Sequence, residues 1–183
     1  MRMSEGVEWA LHCCLVMAWQ HDEATSTAKL AAAFDLPASY LNKQLQALAR
    51  AGVLTSTSGP RGGFRLARPA KRITLLDVVE AIEGPDDAFR CQEIRRQGAG
   101  ASFPKAEFRE RCVIAAAMRH AEVQWRRALA AQTLADIQAT VDGKAPHAGP
   151  RMRTWPAPTS TSRASTGLAR ARRWAGRAGA PTT

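Results

Sequence analysis

A three-residue break, Asp35-Leu36-Pro37, divides the stretch from Thr27 to Arg50 and constrains the fold more than any other feature. Pro37 fixes its own φ and lacks an N–H, so a helix arriving from Thr27 has to end before it. Thr25 or Ser26 caps the start of that short helix, which spans Thr27 to Phe34. A second helix then runs from about Ala38 to Arg50 and stops at Gly52, a natural left-handed terminator. Leu41, Leu45 and Leu48 form one stripe of this second helix, and such a stripe needs a core. The opposite side carries Ser39, Tyr40, Asn42, Lys43 and Gln46, which are polar and long enough to reach base edges. A short helix, a tight turn and a helix with one hydrogen-bonding face make a helix-turn-helix.

A β-hairpin follows directly. Val53-Leu54-Thr55 and Phe64-Arg65-Leu66 flank Ser58-Gly59-Pro60-Arg61-Gly62-Gly63, a segment dense in turn formers. A hairpin in that place is the wing of a winged helix, with Arg61 at its tip and Arg65 on its strand facing the minor groove or the phosphates. Upstream, residues 4–20 read as an amphipathic helix with Ser4 as N-cap. Downstream, Thr74-Leu75-Leu76-Asp77 is a capping-box variant opening a helix through Glu83, closed by Gly84-Pro85. Residues 1–84 therefore form the winged helix-turn-helix, and residues 85–111 a charged loop. One long helix is expected from about Cys112 to Thr140 within a 112–142 unit. Its apolar seam, Ile114, Met118, Ala121, Trp125 and Ala128, advances by alternate steps of four and three and suits a partner helix. The expected fold is mainly α, a winged helix-turn-helix with a long C-terminal dimerisation helix and hence a homodimer. From residue 143 to 183 periodicity vanishes, and the segment reads as a disordered basic tail.

The formal charge of +10 is unevenly spread. Residues 143–183 hold eight Lys or Arg and no acid, and residues 26–72 hold eight basic residues against Asp35 alone. The remaining body is net acidic, so the basic block over the helix pair and the hairpin is a footprint for double-stranded DNA. Two such blocks in a dimer imply a roughly palindromic operator. No nucleophile elbow, phosphate loop or paired-carboxylate site is present, so no enzymatic activity is expected. His12, Gln20 and His21 interrupt the longest apolar run, which falls short of a membrane span, and a cytoplasmic location is expected.

Two cysteines, Cys91 and Cys112, flank the start of the last helix, and Glu8 and His12 lie one turn apart on the first. Glu8 and His12 at i,i+4 point the same way, about 5–6 Å apart, within reach of one metal ion. Two thiolates do not complete a metal site, and this carboxylate and imidazole could supply the missing donors. Three readings stay open on the residues alone: an iron–sulfur centre, a structural zinc ion, or a metal-free Cys91/Cys112 pair that closes into a disulfide on oxidation. Cys14 lies on the core stripe, and Cys13 has no assigned role.

Several strings together resemble a known family. They are Met1-Arg2-Met3-Ser4, Leu36-Pro37-Ala38-Ser39-Tyr40-Leu41 and Leu48-Ala49-Arg50-Ala51-Gly52-Val53-Leu54. Arg61-Gly62-Gly63-Phe64-Arg65-Leu66-Ala67-Arg68-Pro69 and Ile73-Thr74-Leu75-Leu76-Asp77-Val78-Val79 complete the series. In their order and spacing these resemble the Rrf2 family of winged-helix regulators, over about residues 1–140. Family members that bind a cluster usually place three close cysteines in the loop before the long helix, and no third cysteine lies between Cys91 and Cys112. The loop and first helix are instead similar to the redox-regulator branch typified by RsrR. That resemblance implies a [2Fe–2S] cluster at a dimer interface, with Cys91 and Cys112 from one subunit and Glu8 and His12 from the other. It also implies that the redox state of the cluster controls DNA binding.

Overall fold

Ser26 accepts a hydrogen bond from the Lys29 N–H at 3.2 Å and so opens helix α2, Thr27–Phe34. The computed structural model describes residues 3–20, 23–59 and 62–156. Asp35 adopts a left-handed conformation (φ 52°) that ends α2, and α3 runs over Ala38–Arg50. Strands β1, Leu54–Thr57, and β2, Gly63–Leu66, pair antiparallel with Leu54 opposite Leu66 and Thr57 opposite Gly63. Phe64 also exchanges two main-chain hydrogen bonds with Thr25, at 2.8 and 2.9 Å, which fixes the hairpin against the start of α2. This is the winged helix-turn-helix that the sequence implies. Arg61, at the expected wing tip, lies outside the described residues.

Helix α1, Glu5–Trp19, is central, and its apolar face is wide. Val7, Ala10, Cys13, Cys14, Val16, Met17 and Trp19 are all buried, so apolar side chains cover most of its circumference and leave only the strip of Glu5, Glu8 and His12 exposed. The expectation of one apolar face was too narrow, because α1 is covered by elements that arrive later in the chain as well as by α3. Ser4 is also not a side-chain cap. Its N–H and hydroxyl donate to Glu83 Oε1 at 2.8 and 2.6 Å, tying the start of α1 to the end of α4, Leu75–Glu83. Leu30, Leu41, Leu45, Leu48, Val53, Leu54, Ile73 and Val78 fill the centre with near-zero exposure.

The expected long helix is two helices, α5 at Val113–Ala130 and α6 at Leu134–Lys144. The break has a local cause. Thr133 accepts from the Asp136 N–H at 3.2 Å, while its own N–H and hydroxyl donate to Asp136 Oδ2 at 2.9 and 2.7 Å. This capping box repeats the one between Thr74 and Asp77. The two boxes lie side by side: Leu75 N–H donates to the Gln132 carbonyl and Leu134 N–H to the Ile73 carbonyl, both at 2.9 Å. Leu134 enters the core at 1% exposure, which redirects the chain back onto α1. Beyond it the chain is still helical: α7, Ala148–Thr154, packs against α1, so the irregular segment expected from 143 does not begin there. Residues 157–183 of the expected tail lie outside the described residues.

Burial pushes the Asp77 carboxyl up, but the Thr74 N–H and hydroxyl and the Arg68 guanidinium at 3.0 Å outweigh it and hold the group below the ordinary aspartate range. Its folded value is depressed, so its contribution to stability is complete above the unfolded carboxyl range, near 4. That contribution is lost as pH falls through the lowered folded value. Asp77→Asn is therefore expected to lower Tm at neutral pH, with the gap from the parent closing as pH falls to about 2. Melting curves across that range check this, and a gap that does not change with pH would assign the loss to packing alone.

Candidate metal centre and nucleic-acid interface

Cys112 is the N-cap of α5, so its sulfur lies at the end of that helix where the first backbone N–H groups are unpaired. The Ala115 N–H above all, then the Ile114 N–H, the Cys91 thiol and the Arg95 guanidinium hold the Cys112 thiol below its usual range, against a smaller opposing effect of burial. Cys91, twenty-one positions earlier and exposed, is brought beside it by the loop. The loop is folded by short 3-10 turns at Ile94–Arg96, Gly98–Ser102 and Lys105–Phe108 and by two arginines. Arg95 donates to Glu93 Oε2 at 2.8 Å and to the Glu110 carbonyl at 2.5 Å, and Arg96 donates to the Phe108 carbonyl at 3.2 Å. Both guanidinium groups lie over the Phe108 ring, at 5.5 and 5.7 Å from its centroid.

The thiols of Cys91 and Cys112 and the carboxylate of Glu93 converge with their donor atoms within 4.8 Å of one another, a group able to hold a metal ion. Glu93 has a left-handed backbone (φ 50°), and its carboxyl lies below the ordinary range because of Arg95 first and Arg96 next. In the sequence its one signal is an acid two residues beyond a candidate ligand, in a loop that offers no periodicity to orient it. Glu8 and His12 sit exposed on α1 and do not join this group within one chain. Cys13 and Cys14 are wholly buried. Burial pushes the Cys13 thiol up to about 12 and raises Cys14 further, with the neighbouring Cys13 adding to the effect, so both stay protonated packing residues.

A cleft of about 580 Å³ opens beside the cysteines, walled by the loop and α5. Helix α5 has no buried residue over its whole length. Ile114 is 67% and Met118 42% exposed, so the apolar seam faces outward. Arg126 anchors the helix to α4 through an ion pair with Glu80 and to the Pro85 and Asp86 carbonyls at 3.0 and 3.2 Å.

The other surface belongs to α3 and the hairpin. Ser39, Tyr40, Asn42, Lys43 and Gln46 are exposed along one face of α3, and Arg65 is exposed on β2 with its Nε donating to the Thr55 hydroxyl at 3.3 Å. Trp9 of α1 meets Tyr40 edge to face at 5.3 Å, and the His12 ring lies 5.6 Å from that of Phe34 on α2. The α1 face bearing Glu8 and His12 thus touches both helices of the helix-turn-helix.

The family model of Rrf2, described as an iron-dependent transcriptional regulator, matches residues 3–140. This chain belongs to the Rrf2 family. It is 33% identical over 138 residues to YffB of Lactococcus lactis, named as an HTH-type transcriptional regulator, covering 75% of this chain and 86% of that one. It is 36% identical over 81 residues to the regulator IscR of Cereibacter sphaeroides, covering 44% and 48% of the two chains. In fold it is similar to T. potens IscR, with a TM-score of 0.59 at 17% identity over 79% of this chain and 91% of that one. It is likewise similar to CymR, the global cysteine regulator of B. subtilis, with a TM-score of 0.57 at 23% identity over 76% and 98%. This Rrf2 protein is a DNA-binding transcriptional regulator of winged-helix type. No helix among the described residues is long and apolar enough to cross a membrane.

Proposed function

We propose that this Rrf2 protein is a homodimeric regulator whose operator binding depends on the redox state of a [2Fe–2S] cluster held by Cys91 and Cys112 of one subunit and Glu8 and His12 of the other. The observation that carries this reading is the convergence of two cysteines, twenty-one positions apart, at the mouth of a cleft beside an unburied helix. The donor set fits such a group: thiolate sulfurs suit iron, and the start of α5 favours the Cys112 thiolate. Two sulfurs leave the site short of donors, and the remaining pair lies one turn apart on an exposed face of α1. The exposed α5 seam beside the cleft offers a second copy an apolar surface to pack on.

When bound, the cluster supplies reversible one-electron chemistry, at a potential raised by imidazole in place of a thiolate. The remaining work falls to the chain. His12 must be neutral to act as a donor, Arg95 and Arg96 hold the loop, and α1 carries any displacement to Tyr40 and Phe34. Coupling of this kind typically amounts to about 1–3 kcal/mol. Ser39, Tyr40, Asn42, Lys43 and Gln46 would read the major groove of a pseudo-palindromic operator, with Arg61 and Arg65 on the minor groove or phosphates.

A second reading is supported by the closeness of the Cys91 and Cys112 sulfurs, which lie within 4.8 Å of each other. An oxidant could close them into a disulfide, releasing two protons and two electrons, with no metal involved. Absorbance together with iron and sulfide analysis of anaerobically purified protein separates the two. Visible charge-transfer bands that bleach on reduction, with about two irons and two sulfides per chain, are expected for the cluster. A colourless, metal-free protein that still binds DNA would overturn the cluster reading in favour of the thiol pair. Bound zinc without sulfide would favour a structural ion.

A further inference from the structure

Helix α7 is built into the molecule by contacts that only a close backbone approach permits. A Cβ on Gly149 would lie 2.8 Å from Cδ1 and Nε1 of Trp19, so this glycine lets α7 rest directly on the indole. Trp19 is itself fixed, its Nε1 donating to Asp142 Oδ1 at 3.0 Å. Gln20, also buried, donates from Nε2 to the Met152 carbonyl at 3.1 Å, and the Met152 side chain packs on the core. At the far end, Lys29 of α2 places its ammonium 3.4 Å from the Arg153 carbonyl, where the helix dipole favours a cation.

These anchors leave Arg151 and Arg153 exposed, and no ion pair engages either among the described residues. From residue 143 to 156 the chain carries Lys144, Arg151 and Arg153 and no acid. The position of this charge follows from its attachment. Helix α2 lies against the recognition helix, with the Thr27 hydroxyl donating to Asn42 Oδ1 at 3.2 Å. In helix-turn-helix docking, the helix before the recognition helix crosses the phosphate backbone.

We propose that α7 is a second, sequence-independent DNA-binding element, in which Arg151 and Arg153 hold phosphates flanking the half-site read by α3. The inference rests on the α3 docking mode proposed above and extends it outward along the duplex. Its role is register and affinity rather than base recognition, since phosphate contacts position a protein without reading sequence.

Titrating the full-length chain with operator and with random duplex over a range of salt concentrations tests this. For the double variant Arg151→Ala/Arg153→Ala, binding to both duplexes is expected to weaken by about tenfold alike. The salt dependence should become shallower by roughly 0.9 for each phosphate that is no longer neutralised, about two per chain. Hydroxyl-radical protection should retreat only at the outer edges of the site. Gly149→Leu, which displaces α7 but keeps both arginines, is expected to give the same shallower slope. Unchanged affinity and slope in the double variant would overturn the proposal. Asn42→Ala is the control for the docking mode: it should reduce operator binding far more than random binding and leave the salt slope intact. A shallower slope and weaker outer protection in the arginine variant, with Asn42→Ala neutral, would sink the α3 docking mode and leave the role of α7 standing.

Discussion

Serine in place of Cys112 is expected to abolish iron loading and the redox dependence of operator binding, while DNA binding itself persists. Cys112 is the cysteine best prepared as a donor, because the N–H groups of Ala115 and Ile114 stabilise its thiolate. A serine hydroxyl at the same cap position keeps the helix start but stays protonated and is a poor donor to iron. Even residues that only orient a metal ligand cost roughly 10- to 100-fold in metal affinity when removed. Loss of the sulfur itself is expected to cost more, so the visible bands should vanish. DNA binding is expected to survive because the exposed polar face of α3 and the core behind it contain no atom of Cys112. His12→Ala separates the two readings of the site. It should remove redox control if the imidazole is a ligand and leave it intact if only the two thiols react. Visible bands of full intensity in Cys112→Ser would show that the centre lies elsewhere.

Leu45→Ala is expected to give the largest loss of stability, about 3 kcal/mol. Leu45 has no exposed surface and sits in the central cluster behind the exposed polar side of α3. Truncating a buried leucine removes its transfer free energy and leaves a cavity, at a typical combined cost of roughly 2–5 kcal/mol. In a chain of this size that corresponds to a fall in Tm of about 6–12 °C, read at fixed protein concentration. Urea unfolding should show a lower midpoint with an unchanged slope. Gln46→Ala, one position along and exposed, should change stability by less than about 0.5 kcal/mol. Similar melting curves for the two variants would mean that α3 is not packed as described.

The winged helix was legible because its signals are local. Ser26 caps α2, Asp35 terminates it, Pro37 forbids its continuation, and the Thr74–Asp77 box opens α4. Each acts within one turn, so neighbouring residues suffice to read it. The break between α5 and α6 was legible in principle, since Thr133 and Asp136 repeat that same box. It was obscured because Leu129, Ala130, Ala131, Leu134 and Ala135 around it are strong helix formers.

The candidate metal centre shows the limit of such reading. Cys91 and Cys112 could be chosen by residue type, but the arginine-held loop that joins them and brings in Glu93 depends on contacts up to fifteen positions apart. The place of α7 is more distant still. Its residues carry no strong periodicity, and its position is set by an indole and an amide more than 120 positions earlier. Caps, turns and the polar face of α3 were therefore determined by the sequence alone, because backbone sterics and hydrogen bonding within a few residues decide them. The broad burial of α1, the meeting of two thiols with a carboxylate, and the seating of α7 were decided by tertiary structure, because each needs a surface that exists only once distant segments have packed.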